Sequence, residues 1–286
     1  MVLRTLRILG NLRTLRTLRT LRNQDLNDKQ ESMLSKNKIK YIRSLSLKKN
    51  RTEERVFVAE GPRLLSELLP TFHCHYLAST QQWAADNSGL LRRLDVQPDI
   101  VTPEELKSVS SLETPQDVIA IFEQPRYEVD PVQAITTHLC LALDDVQNPG
   151  NLGTIIRLAD WFGITDIFCS KATADVYNPK VVQATMGGLT RVRVHYVDLP
   201  ALLASLPAST PVYGTFLNGQ NIYHSDLSST GLIIMGNEGN GISQAVAAHV
   251  SHRLTIPNYP EGATTTESLN VAIATAIVCA EFRRRG

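Results

Sequence analysis

The stretch LCLALDDVQNPGNLGTIIR, residues 139–157, carries the strongest fold signal in the chain. Its apolar run predicts a buried strand, and the polar segment that follows leads into a helix starting near Gly153. The asparagines and glycines of this loop permit unusual backbone angles and supply side-chain amides. Arg157 lies one helical turn past Gly153, so its side chain can point back toward the loop. The alternative interpretation is ordinary turn chemistry followed by a surface cation.

A second loop, MGNEGNGIS at residues 235–243, follows another apolar strand. Its glycine spacing is G-x-x-G-x-G, which differs from the G-x-G-x-x-G of dinucleotide-binding folds, and the chain contains no G-x-x-x-x-G-K-[ST] motif. A nucleotide-dependent oxidoreductase is therefore disfavoured. Glu238 brings no turn preference to this loop, so it is expected either to bind a ligand or to cap the next helix.

A third loop, IPNYPEGATTTESLNVA at residues 256–272, precedes the C-terminal helix. The helix predicted at 271–280 is apolar almost all round and must be buried against protein, a second subunit being one possibility. Ser268 or Thr266 is predicted as its N-cap. Asn270 would then lie inside the helix, where an amide needs a hydrogen-bond partner. Loops at the carboxyl ends of strands meet in open α/β sheets, so the three loops are predicted to form one site.

Strands alternate with helices on both sides of a predicted linker at 125–137, which contains Pro125 and Pro131. The predicted fold is therefore α/β with two domains, a smaller one at 32–124 and a larger one at 138–286. In the first, strands are expected near 56–59, 76–78, 96–101 and 118–122, and helices near 63–69, 81–85 and 103–107. In the second, strands are expected near 139–143, 167–168, 192–196, 212–216, 232–235 and 253–256, and helices near 153–162, 179–186, 201–206 and 243–248. The solidly apolar strands of the second domain are typical of a parallel sheet covered on both faces.

The composition is that of a soluble globular protein, with 286 residues of which 43% are hydrophobic and 20% charged. No apolar run approaches the roughly 18 residues of a membrane-spanning helix. The four cysteines are scattered without a CxxC pair, which argues against a disulfide scaffold and predicts a reducing compartment, the cytoplasm. The histidines at 73, 75, 249 and 252 show no companion ligand cluster, so no metal site is predicted.

Charge is distributed unevenly along the chain. Residues 1–55 carry fifteen basic and five acidic side chains, a net charge of +10 that leaves −9 on residues 56–286. Such an arm either faces a polyanion or is a solvated tail. Within it a basic amphipathic helix is predicted from residue 36 onward. The cations expected to contact nucleic acid are Lys36, Lys40, Arg43, Lys48, Lys49 and Arg51.

Residues 1–31 are set apart as a basic low-complexity tail, predicted to be disordered. The Leu-Arg-Thr repeat of residues 1–22 has a period of three, which drifts around a helix and forms no stable apolar stripe. This segment is similar to an organelle presequence, and a misassigned start codon would explain it equally well.

The three loops, in this order, resemble the motifs of the TrmH (SpoU) family of SPOUT RNA methyltransferases. The first motif, N-x-x-N-x-G-x-x-x-R, is matched by Asn148, Asn151, Gly153 and Arg157; the second, G-x-E-G-x-G, by Gly236, Glu238, Gly239 and Gly241; the third, I-P followed by S-L-N-V-[SA], by Ile256, Pro257, Ser268, Leu269, Asn270 and Val271. The loop between Pro257 and Ser268 is several residues longer than the common form. Residues 32–125 resemble, more loosely, the accessory RNA-substrate-binding domain of the family, which is similar to the L30e/L7Ae ribosomal-protein fold.

The resemblance implies a SPOUT domain whose C-terminal segment is threaded through a loop to form a deep trefoil knot. It also implies a homodimer paired through helices, and S-adenosylmethionine as cofactor, bound in the knot. The residues implied for cofactor binding are Thr215, Leu217, Gly219, Gly236, Gly241, Ile256, Pro257 and Leu269.

The implied reaction moves a methyl group from the sulfonium of the cofactor to a ribose 2′-hydroxyl of RNA and needs no metal. The residue that the family uses to activate the hydroxyl corresponds to Arg157. Since a guanidinium with a pKa above about 12 is a poor general base, we expect Arg157 to hold the target phosphate or to stabilise the alkoxide. Asn151 is expected to position the ribose or Arg157, and Glu238 to orient Arg157. Ser268 and Asn270 are expected to fix the third loop.

The residues leave three functions open. Methylation of ribosomal RNA is favoured, because bent, structured RNA needs the second contact surface that the accessory domain provides. The alternatives are a tRNA 2′-O-methyltransferase and a ribosome-assembly factor that binds RNA without catalysis. The expected partners are RNA and a second copy of the chain, without a membrane or a metal.

Overall fold

Two β-sheets organise the part of the chain that the computed structural model describes, namely residues 34–260, 263–264, 266 and 268–285. The tail predicted at 1–31 lies outside the described residues. The first sheet belongs to an N-terminal α/β domain and the second to a C-terminal α/β domain. The prediction of two α/β units, the second with a parallel sheet, is confirmed.

The N-terminal sheet has four strands in the order β1-β4-β2-β3. Strand β4 runs antiparallel to β1 and β2, whereas β2 and β3 are parallel. The elements of this domain are α1 (Lys36–Ser44), α2 (Lys48–Glu54), β1 (Val56–Glu60), α3 (Pro62–Leu68), β2 (Cys74–Ser79), α4 (Gln81–Asp86), α5 (Ser88–Leu94), β3 (Asp99–Ile100), α6 (Pro103–Val109) and β4 (Val118–Glu123). Because side chains alternate along a strand, Phe57 and Phe122 face one apolar cluster while Val58 and Ile121 face another.

The single basic helix predicted from residue 36 is instead two helices, α1 and α2. The predicted apolar stripe does not continue through the break, since Leu45 is fully buried whereas Leu47 is 61% exposed. The turn between the helices is stabilised by a later side chain. The Arg51 guanidinium donates to the carbonyls of Leu45 and Ser46, each at 2.7 Å, and so satisfies oxygens that a helix end leaves free.

The linker predicted at 125–137 contains a helix, α7 (Pro131–Thr137). Asp130 caps this helix, accepting from the backbone N–H groups of Val132 and Gln133, and proline suits the first helical position. The sequence prediction also lacked α5, because its residues carry a glycine, Gly89, that weakens a helical pattern.

The C-terminal sheet has six strands in the order β10-β8-β9-β5-β6-β7, and all neighbours are parallel. Its elements are β5 (Leu139–Leu143), α8 (Pro149–Trp161), β6 (Asp166–Cys169), α9 (Pro179–Thr185), β7 (Arg193–Tyr196), α10 (Leu199–Ala204), β8 (Val212–Asn221), β9 (Gly231–Met235), α11 (Gln244–Ala247), β10 (His252–Thr255) and α12 (Val271–Arg284). Every residue of β5, β6 and β9 is buried, as expected for central parallel strands with helices on both faces.

The two domains share one apolar core. A single cluster of buried side chains runs from Phe57, Leu65 and Phe122 of the N-terminal domain to Val181 and Ile155 of the C-terminal domain. The ring of Tyr177, which precedes α9, stacks on Phe57 with centroids 5.1 Å apart. The domains are therefore packed as one body and not joined by the linker alone.

Ion pairs surround this shared core. Arg51, only 2% exposed, pairs through Nη2 with Asp175 Oδ2 at 2.6 Å. Arg191 pairs with Glu67 of the N-terminal domain at 3.1 Å and with Asp160 of α8 at 2.7 Å. The buried pair Arg51–Asp175 fixes the orientation of the two domains relative to each other, because separating its members would leave a buried charge without compensation.

Candidate active site

The first two predicted loops meet at the carboxyl edge of the C-terminal sheet. Strands β5 and β9 are neighbours, so their ends open side by side, and Asp144 N–H donates to the Met235 carbonyl at 2.9 Å. The Asp144 carboxylate accepts from Ser243 N–H at 2.8 Å, and Asn237 Nδ2 donates to the Asp145 carbonyl at 2.8 Å. Side chains of each loop thus hold the backbone of the other.

The glycine loop is a tight, self-bonded turn. Asn237 and Gly241 exchange two backbone hydrogen bonds of 2.9 Å, and the Asn237 side chain accepts from the N–H groups of Gly239 and Asn240. Gly241 has a φ of +67°, which favours glycine. A Cβ on Gly236 would overlap the Gly241 backbone, whereas one on Gly239 would meet nothing closer than 3.6 Å. The glycines therefore serve the loop's own closure, in addition to any ligand contact.

One hydrogen-bonded line of side chains joins all three loops. Asn151 Nδ2 donates to Glu238 Oε1 at 2.7 Å, and Asn270 Nδ2 donates to Asn151 Oδ1 at 3.1 Å. These three residues are separated by 87 and 119 positions in sequence. The prediction that the three loops form one site is thus met by direct side-chain contact. We call this line the amide–carboxylate chain.

Asn270 is the N-cap of α12, which corrects the predicted N-cap. Its Oδ1 accepts from the N–H groups of Ala272 and Ile273 at 3.0 and 3.3 Å, so Ser268 and Thr266 are not the cap. The amide is consequently exposed at the helix end and not buried inside the helix, and its nitrogen is left for Asn151. Asn148 caps α8 in the same way, accepting from Gly150 and Asn151.

The predicted contact between Glu238 and Arg157 is wrong, because Glu238 contacts a different residue. The Glu238 carboxylate accepts from Asn151, whereas Arg157 is exposed on α8 and its Cα lies against Gly188. Within the described residues, no hydrogen bond or ion pair holds the Arg157 guanidinium. Its donors are therefore available to a ligand.

A cleft of about 530 Å³ opens beside the amide–carboxylate chain. This volume lies within the usual range for a small-molecule site, about 300–1,000 Å³. It is lined by residues 215–218 in the middle of β8, by the ends of β9 and β10, and by the second and third loops. Of the residues predicted to bind cofactor or to act in catalysis, Thr215, Leu217, Gly236, Gly241, Ile256, Leu269, Glu238 and Ser268 line it. Among those predicted residues, the ones that do not line the cleft are Gly219, Pro257, Asn151, Arg157 and Asn270.

Gly219 has a different place in the structure. It lies in β8, where a Cβ would come within 2.8 Å of the Arg253 carbonyl oxygen of the neighbouring β10. The glycine therefore permits close strand packing and contributes indirectly to the shape of the cleft.

The sequence analysis did not predict the contact between Arg253 and Phe216, two of the lining residues. The Arg253 guanidinium lies over the Phe216 ring, 3.4 Å from its centroid, and both side chains line the cleft. Such a cation–π pair presents a flat, positively charged wall to a ligand. Neither residue belongs to a loop motif, and only the parallel pairing of β8 with β10 brings them together.

The basic candidates for nucleic-acid contact divide into two groups. Lys36, Lys40, Arg43, Lys48 and Lys49 are exposed on α1 and α2. Arg51 is buried and its guanidinium is occupied by Leu45, Ser46 and Asp175, so its prediction as an RNA contact is wrong. An arginine two residues after a lysine pair is indistinguishable in sequence from the exposed cations.

The prediction that the histidines at 73 and 75 have no companion ligand is also wrong. Glu123, from the neighbouring strand, brings a third potential ligand to within 4.8 Å of both imidazoles. Sequence distance concealed this carboxylate.

Among the described residues, no helix has the length and apolar character needed to cross a membrane.

Comparison with known proteins identifies both domains. The model of the SpoU rRNA Methylase family matches residues 138–280, and that of the MRM3-like substrate binding domain matches residues 36–120. The 23S rRNA (guanosine(2553)-2′-O)-methyltransferase RlmP of Bacillus subtilis is 30% identical over 271 residues, which cover 89% of this chain and 99% of that protein.

Solved structures agree with these matches. A TrmH-family protein from Porphyromonas gingivalis superposes with a TM-score of 0.77 at 43% identity, covering 89% of this chain and all of the other. The SpoU methyltransferase AviRb from Streptomyces viridochromogenes, solved in complex with the cofactor AdoMet (S-adenosylmethionine), superposes with a TM-score of 0.75 at 26% identity, covering 88% and 98%. The three loop motifs, the parallel sheet that brings them together and these matches over nearly the whole described chain establish that the protein belongs to the TrmH (SpoU) family of RNA methyltransferases.

Proposed function

We propose that this protein methylates a ribose 2′-hydroxyl of ribosomal RNA, with S-adenosylmethionine as methyl donor. The observation that carries the proposal is the amide–carboxylate chain Asn270–Asn151–Glu238 at the mouth of the cleft. Ribosomal RNA is the substrate named for relatives such as RlmP, which aligns with 99% of its own length.

The cleft fits the cofactor in size and chemistry. Backbone groups of Gly236, Ile256 and Leu269 would hold it, and Thr215 and Leu217 also line the cleft. The apolar share of the lining, which includes Met235 and Val271, suits an adenine ring. When bound, the cofactor supplies an electrophilic methyl carbon.

Side chains of the three loop motifs would position and polarise the RNA. Arg157, whose donors are available, is proposed to bind the target phosphate or to stabilise negative charge on the ribose oxygen. Asn151 is proposed to orient the ribose, because Glu238 and Asn270 fix both ends of its amide. Ser268, exposed on the cleft wall, is proposed to help fix the third loop.

The N-terminal domain is proposed to bind RNA through Lys36, Lys40, Arg43, Lys48 and Lys49. Their exposure on two consecutive helices places several cations on one domain, as phosphate binding requires. A target held by two domains favours folded ribosomal RNA over a short single strand.

We also propose a knotted, dimeric, cytoplasmic protein. The homodimer is supported by exposed apolar side chains on two packed helices, Trp161 of α8 at 84% and Ile273 of α12 at 55%. The trefoil knot is supported by β10 at the sheet edge, from which the chain returns to pack α12 on α8. The cytoplasm is supported by the four free cysteines, of which three are buried.

The test is transfer of tritium from methyl-labelled S-adenosylmethionine to RNA. Ribosomal RNA and tRNA from a strain lacking the protein are incubated separately, and the labelled nucleotide is mapped as a 2′-O-methyl ribose. Label in ribosomal RNA supports the proposal. Label in tRNA alone would establish the tRNA alternative, and no label with tight RNA binding would establish a non-catalytic assembly factor.

A further inference from the structure

Three side chains with metal-ligand atoms lie together on the N-terminal sheet, in a different domain from the methyl-transfer cleft. His73 immediately precedes β2, His75 lies in β2, and Glu123 is the last residue of β4. Their ligand atoms all lie within 4.8 Å of one another, and all three side chains are exposed.

The backbone of the two strands brings these side chains together. Glu123 N–H donates to the His73 carbonyl at 2.9 Å, which fixes β2 against β4 at this point. A register shift between Cys74 and Tyr76 leaves His75 without a partner on β4, and such a bulge re-aims the side chain of the extra residue. Cys74 packs against the apolar core and donates to the Tyr76 carbonyl, so its thiol is not part of the group.

The distance between His75 and Glu123 is close to that of neighbouring ligands in a coordination sphere. Zinc bonds of about 2.0–2.2 Å in a tetrahedral arrangement place neighbouring ligand atoms about 3.4 Å apart. His75 Nε2 and Glu123 Oε2 are 3.7 Å apart, and the two imidazole rings are nearly perpendicular at 84° with centroids 4.9 Å apart. The His75 and Glu123 side chains are 45% and 50% exposed, so both have room to rotate toward a shared ion.

We propose that His73, His75 and Glu123 bind a divalent transition-metal ion of the zinc class. Two imidazoles and one carboxylate are ligands that zinc prefers, whereas magnesium favours an all-oxygen octahedral set. Three protein ligands leave a fourth position for water. The ion would link the end of β4 to the start of β2 in the domain that carries the basic helices.

The test is calorimetric titration of the full-length protein with Zn²⁺, after dialysis against a chelator. We expect one ion per chain. His75→Asn and Glu123→Gln should each weaken binding at least about tenfold, because even partners outside the coordination sphere cost about 10–100-fold. Mg²⁺ should neither bind there nor compete.

The control is His249→Asn, which removes an exposed histidine of the C-terminal domain and should leave Zn²⁺ binding unchanged. Thermal unfolding without metal verifies that every variant is folded, and added Zn²⁺ should raise the melting temperature of the wild type and of His249→Asn only. The absorption of bound Co²⁺ should lack a thiolate band. Equal Zn²⁺ affinity in the wild type, His75→Asn and Glu123→Gln, or loss of binding in His249→Asn, would overturn the proposal.

Discussion

At the residue scale, the amide of Asn151 is the central element of the site, because it uses both its donor and its acceptor. The nitrogen binds Glu238 and the oxygen receives Asn270, so neither neighbour can move without disturbing it. A neutral side chain with both functions is required, since a carboxylate could not donate to Glu238. The requirement is chemical and not merely steric.

Asn151→Asp should therefore lower kcat about 10²-fold with little change in melting temperature. The substitution keeps the shape but places a second carboxylate against Glu238, which disorients the groups that face the RNA. Single-turnover methyl transfer measures the effect. Gln133→Glu, the same change on an exposed and remote amide of α7, is the matched control, and a normal rate for Asn151→Asp would contradict the assigned role.

Arg157→Ala should abolish methyl transfer while the dissociation constant for S-adenosylmethionine changes less than a few-fold. The guanidinium is free to meet RNA and does not line the cleft, so the loss should fall on RNA positioning and on the transition state. Equilibrium binding of the cofactor and single-turnover rates separate the two effects. Arg157→Lys should recover only part of the rate, because it cannot form bidentate contacts; near-normal turnover of Arg157→Ala would exclude it from catalysis.

Residue patterns predicted which side chains lie together but not which of them form hydrogen bonds with each other. The motif spacing identified Asn151, Glu238 and Asn270 as one site. It assigned Glu238 to Arg157, because the partner depends on the register of β5 against β9 and on where α12 begins. Because the N-cap is Asn270 itself and not Ser268 or Thr266, the Asn270 amide lies at the helix end and not inside the helix.

At the scale of single elements, the glycine loop illustrates how a motif can encode folding and function together. Gly236 leaves a buried strand and must pass close to the Gly241 backbone, whereas a Cβ on Gly239 would make only an ordinary contact, 3.6 Å from Asn237 Oδ1. Two glycines of one motif thus differ in what they tolerate. The elements of this chain also differ in how far the sequence predicts them. The solidly apolar strands were predictable from their composition. Short helices such as α5 and α7 were not, because they depend on caps and tertiary packing.

Gly236→Ala should weaken S-adenosylmethionine binding at least tenfold and lower the melting temperature, because the new methyl group forces the loop backbone apart. Gly239→Ala should change both quantities little. Calorimetric titration with the cofactor and thermal unfolding give the comparison. Similar losses in both variants would indicate that the motif glycines are needed for ligand contact and not for loop closure.

At the scale of the whole molecule, the two domains depend on each other through a shared core and the buried cation of Arg51. Charge counting assigned this residue to the RNA surface, since composition cannot distinguish a buried cation from a solvated one. Its position became evident only from the contact with Asp175, 124 residues away.

Arg51→Met should destabilise the protein by about 3–5 kcal/mol, because it leaves Asp175 and two carbonyls without their partner. Urea unfolding measures the change. Lys49→Met, an exposed cation nearby, should cost less than about 1 kcal/mol. A loss of similar size in both variants would place Arg51 in the same class as the surface lysines.

Replacing Lys36, Lys40, Lys48 and Lys49 by alanine should weaken RNA binding and reduce its salt dependence. Each lost phosphate contact lowers the slope of log K against log salt by about 0.7–0.9. Filter binding over a range of KCl concentrations determines the slope. An unchanged slope would assign RNA binding to another surface.

The continuous core between the domains also bears on how a nucleotide is chosen. The shared core packs the basic helices and the cleft into one body. If the basic helices bind RNA as proposed, a ribose reaches the cleft only when its distance from the RNA segment on those helices matches the distance between the two sites. Adding or removing base pairs between the two positions should then suppress methylation even when both local sequences are intact. The enzyme would select its target nucleotide by its distance from the second RNA contact as well as by the identity of its base.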